Sequence, residues 1–251
     1  MSGFRTEERG PALWVELRRP PLNVLDLGTI RALREVVDDL SRRRDVKVLV
    51  WCSGLPEVFS AGVDVADHAP ARAREMLATF HGLFHRLDSM PQVTLAAVDG
   101  RCLGGGCELA LFSDLVLATP RSVFGQPEID VGCFPPVASV LLPRLAGRRA
   151  YEMVLLGDPI GAPEAERLGL VSRVVDDVRA EAERQVARLA EKSGSVLALA
   201  RRALRQSQSG SFGEKLARAE DLYREELLAT RDAAEGVAAF LEKRPPRWSD
   251  A

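Results

Sequence analysis

Apolar residues recur along the chain with two periods. Residues 12–18, ALWVELR, alternate enough to predict a strand, and Pro20 and Pro21 end it because proline has no amide to donate. From 27 to 43, Ile30, Leu33, Val36, Val37 and Leu40 fall at helical spacing and predict an amphipathic helix. VKVLVW (46–51) and QVTLAAV (92–98) are short apolar runs, as expected of strands buried on both faces. LVLAT (115–119) predicts a further strand and SVF (122–124) an edge piece. Residues 70–88 predict a helix whose stripe of Met76, Phe80, Leu83, Phe84 and Leu87 packs into a core. After Val137 the pattern is helical, interrupted by VSRVV (171–175), and runs on through EAERQVARLAEK and GEKLARAEDLYREELLA. Strands separated by helices predict an α/β fold with a largely parallel sheet over residues 1–175, followed by a helical part over 176–251.

A chain of 251 residues can bury a core without disulfides or metal. With 46% apolar and 28% charged residues the composition is that of an ordinary globular protein. A net charge of −2 argues against a general grip on nucleic acid. Cys52, Cys102, Cys107 and Cys133 form no CxxC pair, so they are expected to be free thiols, mostly buried, in a reducing compartment. His81 and His85 stand at i and i+4, but no third ligand is near in sequence, so they are read as a helix-surface pair and no metal site is expected. No signal peptide and no apolar run of about 20 residues is visible, which predicts a cytoplasmic protein without a membrane span.

Three segments are harder to explain by folding alone. FSAGVD (59–64) is a turn of small residues. In DGRCLGGGCELALFSD (99–114), three glycines at 104–106 cost backbone entropy just before an apolar helical run. Glycines there let the backbone approach a ligand closely, and the first helix amides favour negative charge. Glu108 lies in that first turn, where the helix dipole alone favours a carboxylate by about 0.3–1 kcal/mol. In FGQPEIDVGCFPP (124–136), Glu128 follows Pro127 in a turn that could equally be plain surface. GGGCEL lacks both GxGxxG and GxxxxGK[ST], which counts against a nucleotide-phosphate loop.

In this order and spacing the three segments resemble the enoyl-CoA hydratase/isomerase (crotonase) family, and matches continue through 143–175 and 236–248. The resemblance implies a crotonase-like spiral of ββα units that carries an acyl-CoA site, and a helical C-terminal part that builds a homotrimer or hexamer. It implies Glu108 and Glu128 as the catalytic carboxylates, the first activating water and the second delivering the α-proton. It also implies the backbone amides of Val63 and Gly105 as an oxyanion hole. Ala61, Val63, Asp64, Val65, Ala66 and Gly104 match the stretch around the thioester and pantetheine arm. Leu22, Asn23, Val24 and Leu25 match a loop that contacts the adenosine part of CoA, and Lys243 a basic residue reaching CoA from a neighbouring subunit. No cofactor is implied beyond the CoA of the substrate.

The chain departs from the family at Phe134, Pro135 and Pro136, where many members carry a glycine-rich run, so a differently shaped pocket is expected. That variant, together with PPLNVLD, is similar to cyclohexa-1,5-diene-1-carbonyl-CoA hydratases, with linear or branched enoyl-CoA as the rival substrate. An isomerase of the same family is a second reading, although Glu108 favours hydration and Pro136 stands where dienoyl isomerases place a third carboxylate. RNA binding, or a crotonase-like protein without catalysis, is the reading from a different class. The 70–88 helix offers Arg72, Arg74 and Arg86 but no lysine.

Overall fold

The structure, a computed structural model, describes residues 3–206 and 212–250. It opens with an antiparallel hairpin, β1 (Phe4–Arg9) and β2 (Ala12–Leu17). Helix α1 (Leu27–Ser41) follows, with the Asp26 carboxylate accepting from the Thr29 amide at 2.7 Å. The chain then repeats one unit three times: a strand in a large sheet, a short strand in a small sheet, then a helix. The first unit is β3 (Val48–Ser53), β4 (Val58–Ser60) and α2 (Pro70–Ser89), with a 3-10 turn at Val65–His68 before the helix. The second is β5 (Val93–Val98), β6 (Arg101–Leu103) and α3 (Gly105–Phe112). The third is β7 (Leu115–Ala118), β8 (Val123–Gly125) and α4 (Pro136–Ala146), the last preceded by a 3-10 turn at Pro127–Val131. After α5 (Arg149–Leu155), β9 (Ile160–Gly161), α6 (Ala162–Leu168) and β10 (Arg173–Val174) complete the two sheets.

The large sheet runs β1-β2-β3-β5-β7-β10, parallel from β2 onward, and the small one runs β4-β6-β8-β9. This is the expected spiral of ββα units. β8 is a correction: it is no edge piece but lies inside the small sheet, parallel to β6 and antiparallel to β9. The sequence pattern had missed β1, β4, β6 and β9. The last three have only two or three residues, too few to display a period.

Both faces of the large sheet are covered, which is why its strands read as unbroken apolar runs. Leu13, Val15, Leu17, Leu49 and Trp51 point into the spiral, against Ile30, Leu33, Leu83 and Leu87. The alternate residues Trp14, Val48, Val50 and Leu95 pack with Val178, Ala182 and Val186 of α7 (Val178–Ala190). The remaining helices are α8 (Gly194–Gln206), α9 (Phe212–Asp221), which continues through a π-helical stretch Leu222–Leu227, and α10 (Arg231–Leu241). Buried Arg201 ties α8 to the end of α2, donating to the carbonyls of Leu87 (2.7 Å) and Met90 (2.6 Å) and to Asp114 (2.6 Å). All four cysteines are free thiols; three are buried and Cys133 is half-buried. Among the described residues, no helix is long and apolar enough to cross a membrane.

Candidate active site

The glycine run acts through the side chains it lacks. A methyl carbon on Gly104 would lie 2.9 Å from Glu128 Oε1, and one on Gly105 would lie 2.8 Å from Val63 Cγ2 and 2.9 Å from Phe80 Cζ. The N-terminus of α3 can therefore touch both the 61–64 turn and the Glu128 turn. Gly104 is also the N-cap of α3, with φ +52°, a conformation that favours glycine.

The 61–64 turn is held by the 22–25 segment. The Ala61 amide donates to Leu22 O at 2.9 Å, Leu25 to Gly62 O at 2.8 Å, and Asp64 to Leu25 O at 3.1 Å. These bonds form a one-residue parallel bridge between Leu25 and Val63, which leaves the Val63 amide on the side away from Leu25. The Gly105 amide, in the first turn of α3, has no intrahelical acceptor. Neither amide has an acceptor among the described residues, and both residues line one cavity of about 220 Å³.

Glu108 and Glu128 line the same cavity. Glu108 is only 2% exposed, and its Oε1 accepts from the Ala138 amide at 2.9 Å. That amide belongs to the first turn of α4, which Pro136 opens; a proline there forfeits no helical hydrogen bond. Burial pushes the Glu108 carboxyl up to about 7, against the Ala138 and Val137 amides, and the charge of Glu128 adds to the rise. Burial likewise pushes Glu128 up to about 7, and its Oε2 is shielded without a partner. Two such carboxyls titrate around neutrality as a pair.

This predicts a pH-dependent stability. A carboxyl whose pKa is raised on folding stabilises the native state fully below about 4.5, and that contribution is lost as pH rises through about 7. Glu128→Gln removes the titration. Its melting temperature is expected to match the unmodified chain near pH 4.5 and to exceed it by about 5–10 °C at pH 8. Equal melting curves at pH 8 would show that Glu128 carries no burial penalty.

Of the residues singled out by sequence, Ala61, Val63, Val65, Gly104, Gly105, Glu108, Glu128, Phe134 and Pro135 line the cavity. Asp64 and Ala66 instead line a neighbouring polar cleft with Asp26, Arg31 and Arg72. Leu22 and Val24 are half-buried beside the turn, and the side chains of Asn23 and Leu25 point into the protein. Asn23 donates to Ser53 Oγ (2.8 Å) and Phe59 O (3.0 Å) and accepts from the Arg19 amide (2.7 Å). Lys243 is exposed just beyond α10, away from the cavity lining.

Sequence reasoning missed one wall. Met76, Leu77, Phe80 and His81 of α2 line the cavity, as does His68. His81 is therefore a correction to the helix-surface pair: it is half-buried in the cavity wall, while His85 alone is exposed. The α2 stripe could not reveal this, because a cavity wall and a core face have the same period. Among the described residues, no group of three or more His, Cys, Asp or Glu side chains is placed to hold a metal ion. Arg72 and Arg86 pair with Asp67 and Asp38.

Two sheets wound from ββα units, with paired glutamates and free amides in one cavity between helices, define the crotonase class of fold. The comparisons agree. The enoyl-CoA hydratase/isomerase family model matches residues 8–251, and the chain belongs to that family. It is 38% identical to the cyclohexa-1,5-dienecarbonyl-CoA hydratase of Thauera aromatica, over 97% of this chain and 95% of that one. It is 34% identical to the 2,3-dehydroadipyl-CoA hydratase of Escherichia coli K12, over 98% of each. The solved structure of Pseudomonas aeruginosa DspI superposes with a TM-score of 0.94 at 32% identity, covering 99% of this chain and 97% of that one.

Proposed function

We propose that the chain adds water reversibly to an α,β-unsaturated acyl-CoA thioester, with Glu108 and Glu128 as acid–base pair. The observation that carries this reading is the meeting, in one cavity, of a buried and a half-buried glutamate, Glu108 and Glu128, with two unpartnered backbone amides. A thioester oxygen between the Val63 and Gly105 amides gains stabilisation as it takes on enolate charge. Water between the glutamates loses its proton to one while the other protonates the α-carbon.

Ala61, Val63, Asp64, Val65, Ala66 and Gly104 would then flank the thioester and pantetheine arm. Leu22, Asn23, Val24 and Leu25 would lie toward the adenosine end, with the Asn23 and Leu25 contacts made by backbone. The only CoA required is that of the substrate. Residues 176–251 would build a trimer or hexamer and bring Lys243 to a neighbouring copy's CoA. Supporting this, Phe240 is 83% and Leu241 74% exposed in one chain. Sedimentation equilibrium of the whole chain tests the assembly; a monomer at micromolar concentration would refute it.

For the acyl group we favour a cyclic conjugated dienoyl thioester, as in the name of the Thauera relative. The linear acyl group in the name of the Escherichia relative is the alternative. The wall of Phe134 and Pro135 supports the ring: proline fixes the backbone and a phenylalanine offers a flat apolar face. Phe134 is 65% exposed at the cavity rim, so a bound acyl group can cover it. The expected result is a higher kcat/KM for cyclohexa-1,5-diene-1-carbonyl-CoA than for crotonyl-CoA, with Phe134→Ala shifting the ratio about tenfold toward the linear substrate. Equal values in the unmodified chain would rule out the ring and leave hydration standing.

A further inference from the structure

Hydration as derived above makes no use of the imidazole in the cavity wall. Helix α2 presents Met76, Leu77, Phe80 and His81 to the cavity, so His81 is the one polar side chain on this helix's share of the wall. Phe80 packs against Gly105, which sets this part of α2 beside the amide pair. His81 Nε2 is shielded from solvent and has no hydrogen-bond partner among the described residues.

The other polar groups of the cavity do not pair with it. His68 Nδ1 donates to the Asp64 carbonyl at 3.0 Å, Glu108 accepts from Ala138, and neither Glu128 nor Asp130 forms a hydrogen bond with His81. A polar atom left unpaired in an apolar wall is unfavourable unless something entering the site pairs with it. The imidazole torsion χ2 is broad, so a small ring rotation can turn that edge toward the cavity.

We infer that His81 is a specificity residue: within either skeleton, ring or chain, it favours the acyl group that carries an added oxygen function, a hydroxyl or keto group, that hydrogen-bonds to His81. This rests on the acyl-CoA hydratase reading above and narrows its substrate class. Burial and the neighbouring His85 hold the His81 ring below the usual histidine range. A neutral imidazole has one N–H and one lone pair, which suits a neutral hydroxyl or carbonyl rather than a carboxylate.

The test uses the whole chain and four thioesters, hex-2-enoyl-CoA and its 4-, 5- and 6-hydroxy derivatives. The unmodified protein is expected to favour at least one hydroxylated thioester over hex-2-enoyl-CoA by about tenfold in kcat/KM. His81→Phe is expected to bring that ratio near one, and His81→Asn, which keeps a donor and an acceptor, to restore part of it. His81→Leu is measured beside them, so that a packing failure of phenylalanine alone does not decide the result. Ratios near one for all three derivatives in the unmodified protein, or a preference that survives both apolar variants, overturn the assignment and leave hydration standing. No water addition to any of the four, nor to the cyclic diene, overturns the hydratase reading and this inference with it.

Discussion

Glu108→Gln and Glu128→Gln are each expected to lower turnover by about 10²–10⁴-fold, the usual weight of a positioned general acid or base. Glutamine keeps the shape of the carboxyl but cannot accept and return the proton. The environments suggest how the work divides. Glu108 accepts a hydrogen bond from the Ala138 amide, an interaction that favours its ionised form and suits a base drawing a proton from water. Glu128 has an unpartnered, shielded Oε2, which favours its protonated form and suits the donor to the α-carbon. With both carboxyls near 7, the pair holds about one proton at neutral pH, and kcat/KM should follow a bell centred there. Each glutamine variant should lose one limb of the bell. In deuterated water, Glu128→Gln should also lose exchange at the α-carbon of a saturated acyl-CoA. Affinity for the thioester should change little in either variant. Near-normal hydration by either one would sink the two-carboxylate mechanism.

Gly62→Ala is expected to cost about 10²–10³-fold in kcat, comparable to the loss of one oxyanion donor. Gly62 has φ +99°, a conformation that side-chain-bearing residues rarely adopt. A methyl carbon there would lie 2.9 Å from the Gly105 nitrogen and 3.1 Å from the Leu103 carbonyl oxygen. Both neighbours are backbone, so no side-chain rotation relieves the contact, and the 61–64 turn must move away from α3. That motion separates the Val63 and Gly105 amides, which must converge on one oxygen to stabilise an enolate. A melting curve shows whether the variant folds, and single-turnover hydration by the folded protein isolates the chemical step. A folded Gly62→Ala variant with near-normal single-turnover rates would mean that this pair of amides does not hold the reacting oxygen.

The sequence by itself determined the parallel α/β core and marked the segments that meet at its cavity. Strands buried on both faces appear as unbroken apolar runs, and the order of FSAGVD, GGGCEL and GQPE could be read without coordinates. The tertiary structure decided what depends on contacts between distant segments or on elements shorter than one period. β4, β6 and β9 are too short to leave a pattern, so the small sheet emerged only from its pairing. The amide that holds Glu108 comes from Ala138, thirty residues along the chain, and no local pattern links the two. The same Pro135-Pro136 step that reads in sequence as a stiff pocket wall turns out also to start the helix that supplies this bond. His81 and the core residue Leu83 sit two positions apart on α2, yet one lines the cavity and the other packs inside the spiral. Helical periodicity tells which side of a helix is buried; what that side is buried against depends on segments brought together only by folding.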